Sequence, residues 1–304
     1  MNNLITDVKN LEIETLKNLR NSKAHNTLRA YQADFKDFSA FCVKNGLNSL
    51  PTEPKIVAIY LTYLSSFSKY STLKRRLASI NVIHKLKGHY IDTKHPIIAE
   101  NLMGIKRKMG VKQTAKKPLL INDLKSLINV IDEEKNEYKK HQNRALILIG
   151  FAGGFRRSEL VSIEYEDLDF VTEGVKIIVK RSKTDQTGEG MIKAIPYFDN
   201  KIYCPVLSLK NWIDFSNIQS GLVFKISDKT VALTIKKYAL IAGLDKTKYA
   251  GHSLRSGFAT STAEIGADER SIMAMTGHKT TQMVRRYIKE SNLFKNNALN
   301  KIKI

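Results

Sequence analysis

Between Met109 and Pro118 the chain loses every hydrophobic period. The stretch Met109-Gly-Val-Lys-Gln-Thr-Ala-Lys-Lys-Pro118 is polar and basic, with chain-breaking residues near both ends. It divides the 304 residues into two pieces, each long enough to close a core of its own. The expected organisation is therefore a first domain over 1–108, a linker over 109–118 and a second domain over 119–304.

The first piece reads as all-helical. Leu28, Tyr31, Phe35, Phe38 and Phe41 recur three or four apart after a capping Asn26, and Asn45-Gly46 stops the run. A second helix follows Pro54, with Ile56, Ile59, Tyr60 and Tyr63 on one side. A third runs from Ser71 to Lys87 and ends at Gly88, and a fourth covers 96–108. About 20 residues are expected to precede the first helix. The second piece opens with a helix from Asn122 and a very apolar one over 143–153. The runs Val175–Lys180 and Met191–Ile195 alternate as strands around the polar turn Arg181–Gly190. Helices are expected over 203–219, 228–243, 253–265, 268–276 and 280–289. The fold class is thus mainly α with one small antiparallel β-sheet, an α+β chain.

Lys and Arg number 50 against 29 Asp and Glu, giving a net charge of +21. Residues 1–112 carry 19 − 8 = +11 and residues 113–304 carry 31 − 21 = +10. One basic tail on a neutral enzyme would not share charge so evenly. The split suits two domains gripping one long polyanion, with nucleic acid as the leading partner. Cys42 and Cys204 offer neither a disulfide framework nor metal-ligand spacing. The longest apolar run, Ala145–Gly154, is too short to span a bilayer. The N-terminus lacks the pattern of a signal peptide. The expected place is the cytoplasm, away from membranes.

Four patterns can carry chemistry. Gly153-Gly-Phe-Arg156-Arg-Ser-Glu-Leu160 follows the most apolar helix. Lys183 lies on the turn between the strands. Gly251-His252-Ser-Leu-Arg255 opens a helix. Thr276-Gly-His278 precedes Val284-Arg-Arg-Tyr287-Ile288. Taken singly, each has an ordinary structural reading: a helix-end arginine, a solvated lysine, a capping histidine. Jointly they place cations beside apolar segments, where an unpaired charge is costly and an anion is wanted. Two arginines with a lysine and two histidines describe a phosphate site. A metal-dependent nuclease would need clustered carboxylates. The only such run, Glu164-Tyr-Glu-Asp-Leu-Asp169, reads as the solvated edge of a strand. Without a metal, Arg and Lys must meet the transition-state charge. A tyrosine is a weak nucleophile at its free pKa of about 10. Beside Arg285, Arg286 and a clamped phosphate, Tyr287 can serve. No cofactor and no metal are called for.

At these residues the chain resembles the tyrosine recombinases, the phage integrase family. The resemblance covers essentially the whole chain. It implies a helical, SAM-like core-binding domain followed by a catalytic domain. It implies catalytic roles for Arg156, Lys183, His252, Arg255, His278 and the nucleophile Tyr287. Arg156 and Arg255 would hold the non-bridging oxygens, and Lys183 would protonate the leaving 5′-oxygen. His252 would assist proton transfer at the nucleophile, and His278 would hydrogen-bond the phosphate. The activity implied is site-specific cleavage and rejoining of double-stranded DNA through a 3′-phosphotyrosyl link, without metal or ATP, for integration, excision or resolution of mobile elements. A type IB topoisomerase-like relaxase and a non-catalytic DNA-binding member of the same fold are the alternatives. Lys74, Arg75 and Arg76 are the expected DNA contacts of the first domain. The tail after Tyr287, with Leu293, Phe294, Leu299 and Ile302, would dock on a neighbouring protomer of a homo-tetramer on two DNA sites.

Overall fold

The computed structural model describes residues 8–21, 25–110, 116–180, 190–291, 300 and 302. Two compact units emerge, Met1–Gln113 and Thr114–Ile304. The segment between them is shorter than the expected 109–118. Met109 still belongs to a helix. Lys117 already donates its amide to Lys248 O (2.7 Å), and Lys116 Nζ donates to Thr247 O (2.6 Å), inside the second unit.

The first unit holds α1 (Val8–Asn21), α2 (His25–Lys44), α3 (Pro54–Ser65), α4 (Tyr70–Leu86) and α5 (Pro96–Met109). The helix α1 occupies residues expected to be irregular. Among its described side chains Leu11 and Ile13 are exposed. Phe38, Tyr60, Leu61, Leu73, Ile80 and Ile98 form the core. On α3 the inward face is Val57, Tyr60, Leu61 and Leu64, while Ile59 and Tyr63 face solvent. Nearly every α3 residue is apolar, so the sequence period alone does not choose a face. Packing against α4 and α5 does.

The second unit is built around α7 (Glu137–Ala152). Every residue from Ala145 to Ala152 is buried, which is why this half of the helix shows no polar side. Each large side chain taken out of water there contributes about 1.5–3 kcal/mol. Before it comes α6 (Ile121–Asp132), and after it the one-turn α8 (Arg157–Val161). The sheet is antiparallel in the order β1-β2-β3, with β1 (Leu168–Val171), β2 (Gly174–Val179) and β3 (Met191–Pro196). In the β2–β3 ladder Val175 faces Ile195 and Ile178 faces Ile192. Then follow α9 (Pro205–Ser216), α10 (Asp228–Ile241), α11 (Ser253–Glu264), α12 (Glu269–Thr276) and α13 (Thr281–Ser291). Trp212, Tyr238 and Leu254 pack with α7 in one core. No described helix is long and apolar enough to cross a membrane.

Candidate active site

Arg156 stands at the end of a sharp turn. Gly153 terminates α7, and Gly154, at φ +54°, takes the left-handed conformation that L side chains avoid. The chain then reverses, and Arg156 caps α8. Glu159, one turn on and 2% exposed, accepts from the Arg156 amide (2.9 Å) and from its guanidinium (2.5 Å). The sequence Arg-Arg-Ser-Glu therefore folds as a self-capped turn whose arginine is held by one buried carboxylate.

Arg255 comes from α11 and is 4% exposed. Its Nη1 donates to Gly154 O (2.9 Å), which ties the second arginine to the turn of the first. Its Nη2 is buried and has no hydrogen-bond partner among the described residues. Burial, with Arg156 beside it, lowers the Arg255 pKa to about 10, and Glu159 and Tyr287 offset part of that. A buried guanidinium donor left open is expensive unless an anion completes it.

His278 follows Gly277, whose φ of +62° ends α12 in a left-handed cap. Its Nδ1 lies 2.7 Å from Thr276 Oγ1. The Thr276 hydroxyl already donates its single proton to Ile272 O (2.6 Å). The hydroxyl must therefore accept from the imidazole, so Nδ1 carries the proton and Nε2 presents a lone pair. Burial, then Arg255, Arg156 and Lys193, lower the His278 pKa to about 4, so the ring is neutral at pH 7.

Tyr287 lies on α13, its ring centroid 6.1 Å from that of His278. It packs against Ala259, Ala263, Ile272 and Val284, a small core that seats α13 on α11 and α12. Arg285 does not serve the phenol as the sequence suggested. Its Nε donates to Glu269 Oε1 (2.8 Å) on α12. Arg286 is exposed on the same helix. Tyr287 is one of the groups whose charge acts on Arg255. His252, the N-cap of α11, is exposed. Lys183 lies outside the described residues.

The site thus gathers Arg156, Arg255, His278 and Tyr287. Two further residues were not assigned a role from the sequence. Glu159 had a signal, an acid three residues after an arginine at a helix start. Lys193 had one too: it shares strand parity with the buried Ile195, so β3 turns it inward. Lys180, which also flanks the strand turn, is occupied by Glu164 and Asp167. Those carboxylates, with Glu166 accepting from the Gly221 amide, stabilise their own loop. Among the described residues no three His, Cys, Asp or Glu side chains are grouped to hold a metal.

The proposed contacts of the first unit separate into different environments. Arg75 and Ser79 both donate to Asp34 Oδ2. Arg76 donates to Asp34 O (3.0 Å) and pairs with Asp37 (3.2 Å). Lys74 is exposed on the same helix.

Residues 118–293 match the model of the Phage integrase family. The chain belongs to this family. It is 41% identical to an integrase/recombinase XerD homologue of Selenomonas ruminantium, over 98% of this chain and 91% of that one. To the tyrosine recombinase XerC of Staphylococcus aureus it is 26% identical, over 92% and 91%. Among solved structures, the XerH site-specific recombinase in its post-cleavage complex with a palindromic difH substrate aligns at a TM-score of 0.62. The identity is 18%, over 81% of this chain and 73% of that one. A λ integrase dimer bound to a COC′ core site aligns at 0.60 and 18% identity, over 93% of each chain. The mainly helical fold with its three-stranded sheet is that of the tyrosine recombinases, and this integrase-family chain is an enzyme of site-specific recombination.

Proposed function

We propose that this recombinase cuts and rejoins duplex DNA through a 3′-phosphotyrosyl link at Tyr287. The observation that carries the reading is the open, buried Nη2 of Arg255, fixed through Gly154 to the turn of Arg156. The one buried carboxylate there, Glu159, pairs with Arg156 and reaches Arg255 only through its charge, and a phosphodiester supplies the missing anion. Its non-bridging oxygens take the donors of Arg156 and Arg255. The Tyr287 oxygen attacks phosphorus, the bond to the 5′-oxygen breaks, and the two guanidinium groups meet the charge of the five-coordinate state. The phenolic proton passes to a nearby base, for which exposed His252 is placed at the head of the Arg255 helix. Lys183 on the strand turn returns a proton to the leaving 5′-oxygen. His278 begins neutral, with Nε2 as an acceptor. It becomes a donor to the phosphate once the added negative charge lets it take a proton. The ester stores the bond energy of the cut strand, so a second 5′-hydroxyl rejoins it without ATP, metal or other cofactor.

Residues 1–108 act as the helical core-binding domain and 119–304 as the catalytic domain, both on double-stranded DNA. Lys74 is the first unit's clearest phosphate contact, with Arg75 beside it. An apolar cavity of about 520 Å³ in the second unit is lined by Leu124, Phe151, Ile195, Phe258 and Met275. It suits an apolar segment such as the tail carrying Leu293, Phe294 and Leu299, residues outside those described. A tail passed from each copy to the next is a heterologous contact that closes a ring, here a tetramer on two DNA sites.

The test is a pool of nicked duplexes with randomised cores, incubated with protein in EDTA and resolved on a denaturing gel. A covalent adduct is expected, and peptide mapping should place it on Tyr287. Duplexes recovered from it should then be joined to one another. Relaxation of supercoils without joining would favour a type IB topoisomerase-like relaxase. Absence of any adduct would leave a DNA-binding member of the fold.

A further inference from the structure

Lys193 is fully buried, although lysine is among the costliest residues to bury. Its partners are two neutral carbonyls from separate helix ends. Nζ donates to Gly153 O (2.6 Å) and to Met275 O, and it lies 4.5 Å from the centre of the Phe155 ring. Gly153 closes α7 three residues before Arg156. Met275 sits in the last turn of α12, three residues before His278. A leucine or methionine on β3 would fill the same space without the desolvation. The ammonium is therefore present for what it binds. It binds the roots of the two turns that carry Arg156 and His278.

Both turns are the kind that needs an outside tie. Each passes through a glycine in the left-handed region, Gly154 and Gly277, where the backbone has the most freedom. Thr276 and Phe258 side-chain atoms stand 3.1 Å from the position a Cβ on Gly154 would take, so the two turns also touch. The charged groups facing Lys193 are Glu159 from α8, Arg156 at its cap and Arg255 from α11. His278 feels Lys193 in turn. Burial, with the two arginines, lowers the Lys193 pKa to about 7, and a bound phosphate would offset that repulsion.

We propose that Lys193 is a positioning residue for strand cleavage, fastening the Arg156 turn to the His278 turn so that the two stay in register when DNA arrives. The proposal rests on the active-site reading above. The test uses the full chain with Lys193→Met, which keeps the apolar stem and removes the donors, and Lys193→Gln, which keeps one amide donor. Lys193→Met should fold and bind a random-sequence duplex within about twofold of the parent. Its adduct formation with the nicked pool should fall by about tenfold to a hundredfold, the range expected of a misplaced clamp. Lys193→Gln should fall between. In a readout that needs no DNA, the His278 imidazole followed by NMR should titrate near 4 in the parent, and closer to the ordinary histidine range in Lys193→Met. A failure of the recombinase reading would show as no adduct in the parent, and amide hydrogen exchange would then decide the proposal, with faster exchange expected at Gly154 and Gly277 in Lys193→Met. Unchanged adduct formation together with an unchanged titration overturns it. So does loss of the fold in both variants, which would make Lys193 a folding residue.

Discussion

Each unit sets two arginines beside buried acid, and the two pairs are compensated differently. In the first unit Arg75 and Arg76 meet Asp34 and Asp37, two carboxylates for two guanidinium groups. Even the poorly aligned Arg76 Nε lies 3.3 Å from Asp34 Oδ1. Ser79 and Tyr60 complete the network by donating to Asp34 and Asp37. In the second unit Glu159 pairs with Arg156, and Arg255 Nη2 has no hydrogen-bond partner among the described residues. A charge network that closes on itself holds helices together. One that stops a single anion short is built to receive that anion. In sequence the two pairs look alike, because both are arginines amid apolar helical residues.

The comparison breaks most visibly under matched substitutions. Arg255→Met removes a buried cation that lacks its anion, so thermal stability should hold or rise. Adduct formation should fall by about a hundredfold to a thousandfold, as when one pre-aimed donor is lost. Arg76→Met removes a cation whose anions stay behind, one of them the 4% exposed Asp34. Its urea midpoint should drop by the equivalent of about 3–5 kcal/mol, the usual penalty for breaking one side of a buried pair. A stable Arg76→Met together with an unstable Arg255→Met would reverse the argument.

That contrast also marks where sequence reading stops. The helices from α2 onward, apart from the one-turn α8, were legible because a buried stripe or a Pro and Gly stop marked them. α3 was legible as a helix but not in its inward face, since Ile56 through Leu61 offer apolar residues on every side. The motif residues Arg156, Arg255, His278 and Tyr287 were legible as an ordered set, and the structure brings them together. The deficit of one carboxylate was not, because it depends on which acids fold within reach. Asp34 is 41 residues from the Arg75 it compensates. Thr276 fixing the His278 tautomer is likewise a matter of one hydroxyl's direction.

The pH dependence of stability sharpens the difference further. Lys193 and His278 are bases whose proton affinity the fold lowers. Between its folded and unfolded pKa values, such a group binds more protons in the unfolded chain, so stability climbs with pH. For Lys193 that window runs from about 7 up to 10.5, and for His278 from about 4 up to 6.5. The parent should therefore gain stability over Lys193→Met as pH rises from 7 toward 10. Against His278→Gln it should gain as pH rises from 4 to 6.5. Urea midpoints measured in parallel check both. A parent that loses ground to either variant as pH rises would place the charged form of that group in the fold.

The smallest effect expected lies in the first unit, in salt. If Lys74, Arg75 and Arg76 all neutralised phosphates, their loss together would reduce the slope of log K against log salt by about 2.7, at about 0.9 per contact. The structure divides them. Arg76 is turned inward to Asp34 and Asp37, and its side chain is 18% exposed. Arg75 is 45% exposed but shares Asp34. Lys74 is exposed on the same helix. Lys74→Ala should lower the slope by about 0.9, and Lys74→Ala with Arg75→Gln by little more, because Arg75 would have to leave Asp34 before it reached a phosphate. Measuring both against a random-sequence duplex separates the cases. A further drop of about 0.9 in the double variant would mean that Arg75 does let go of Asp34 on DNA. The closed network of the first unit would then open in the bound state, and the distinction drawn between the two arginine pairs would hold only for the free protein.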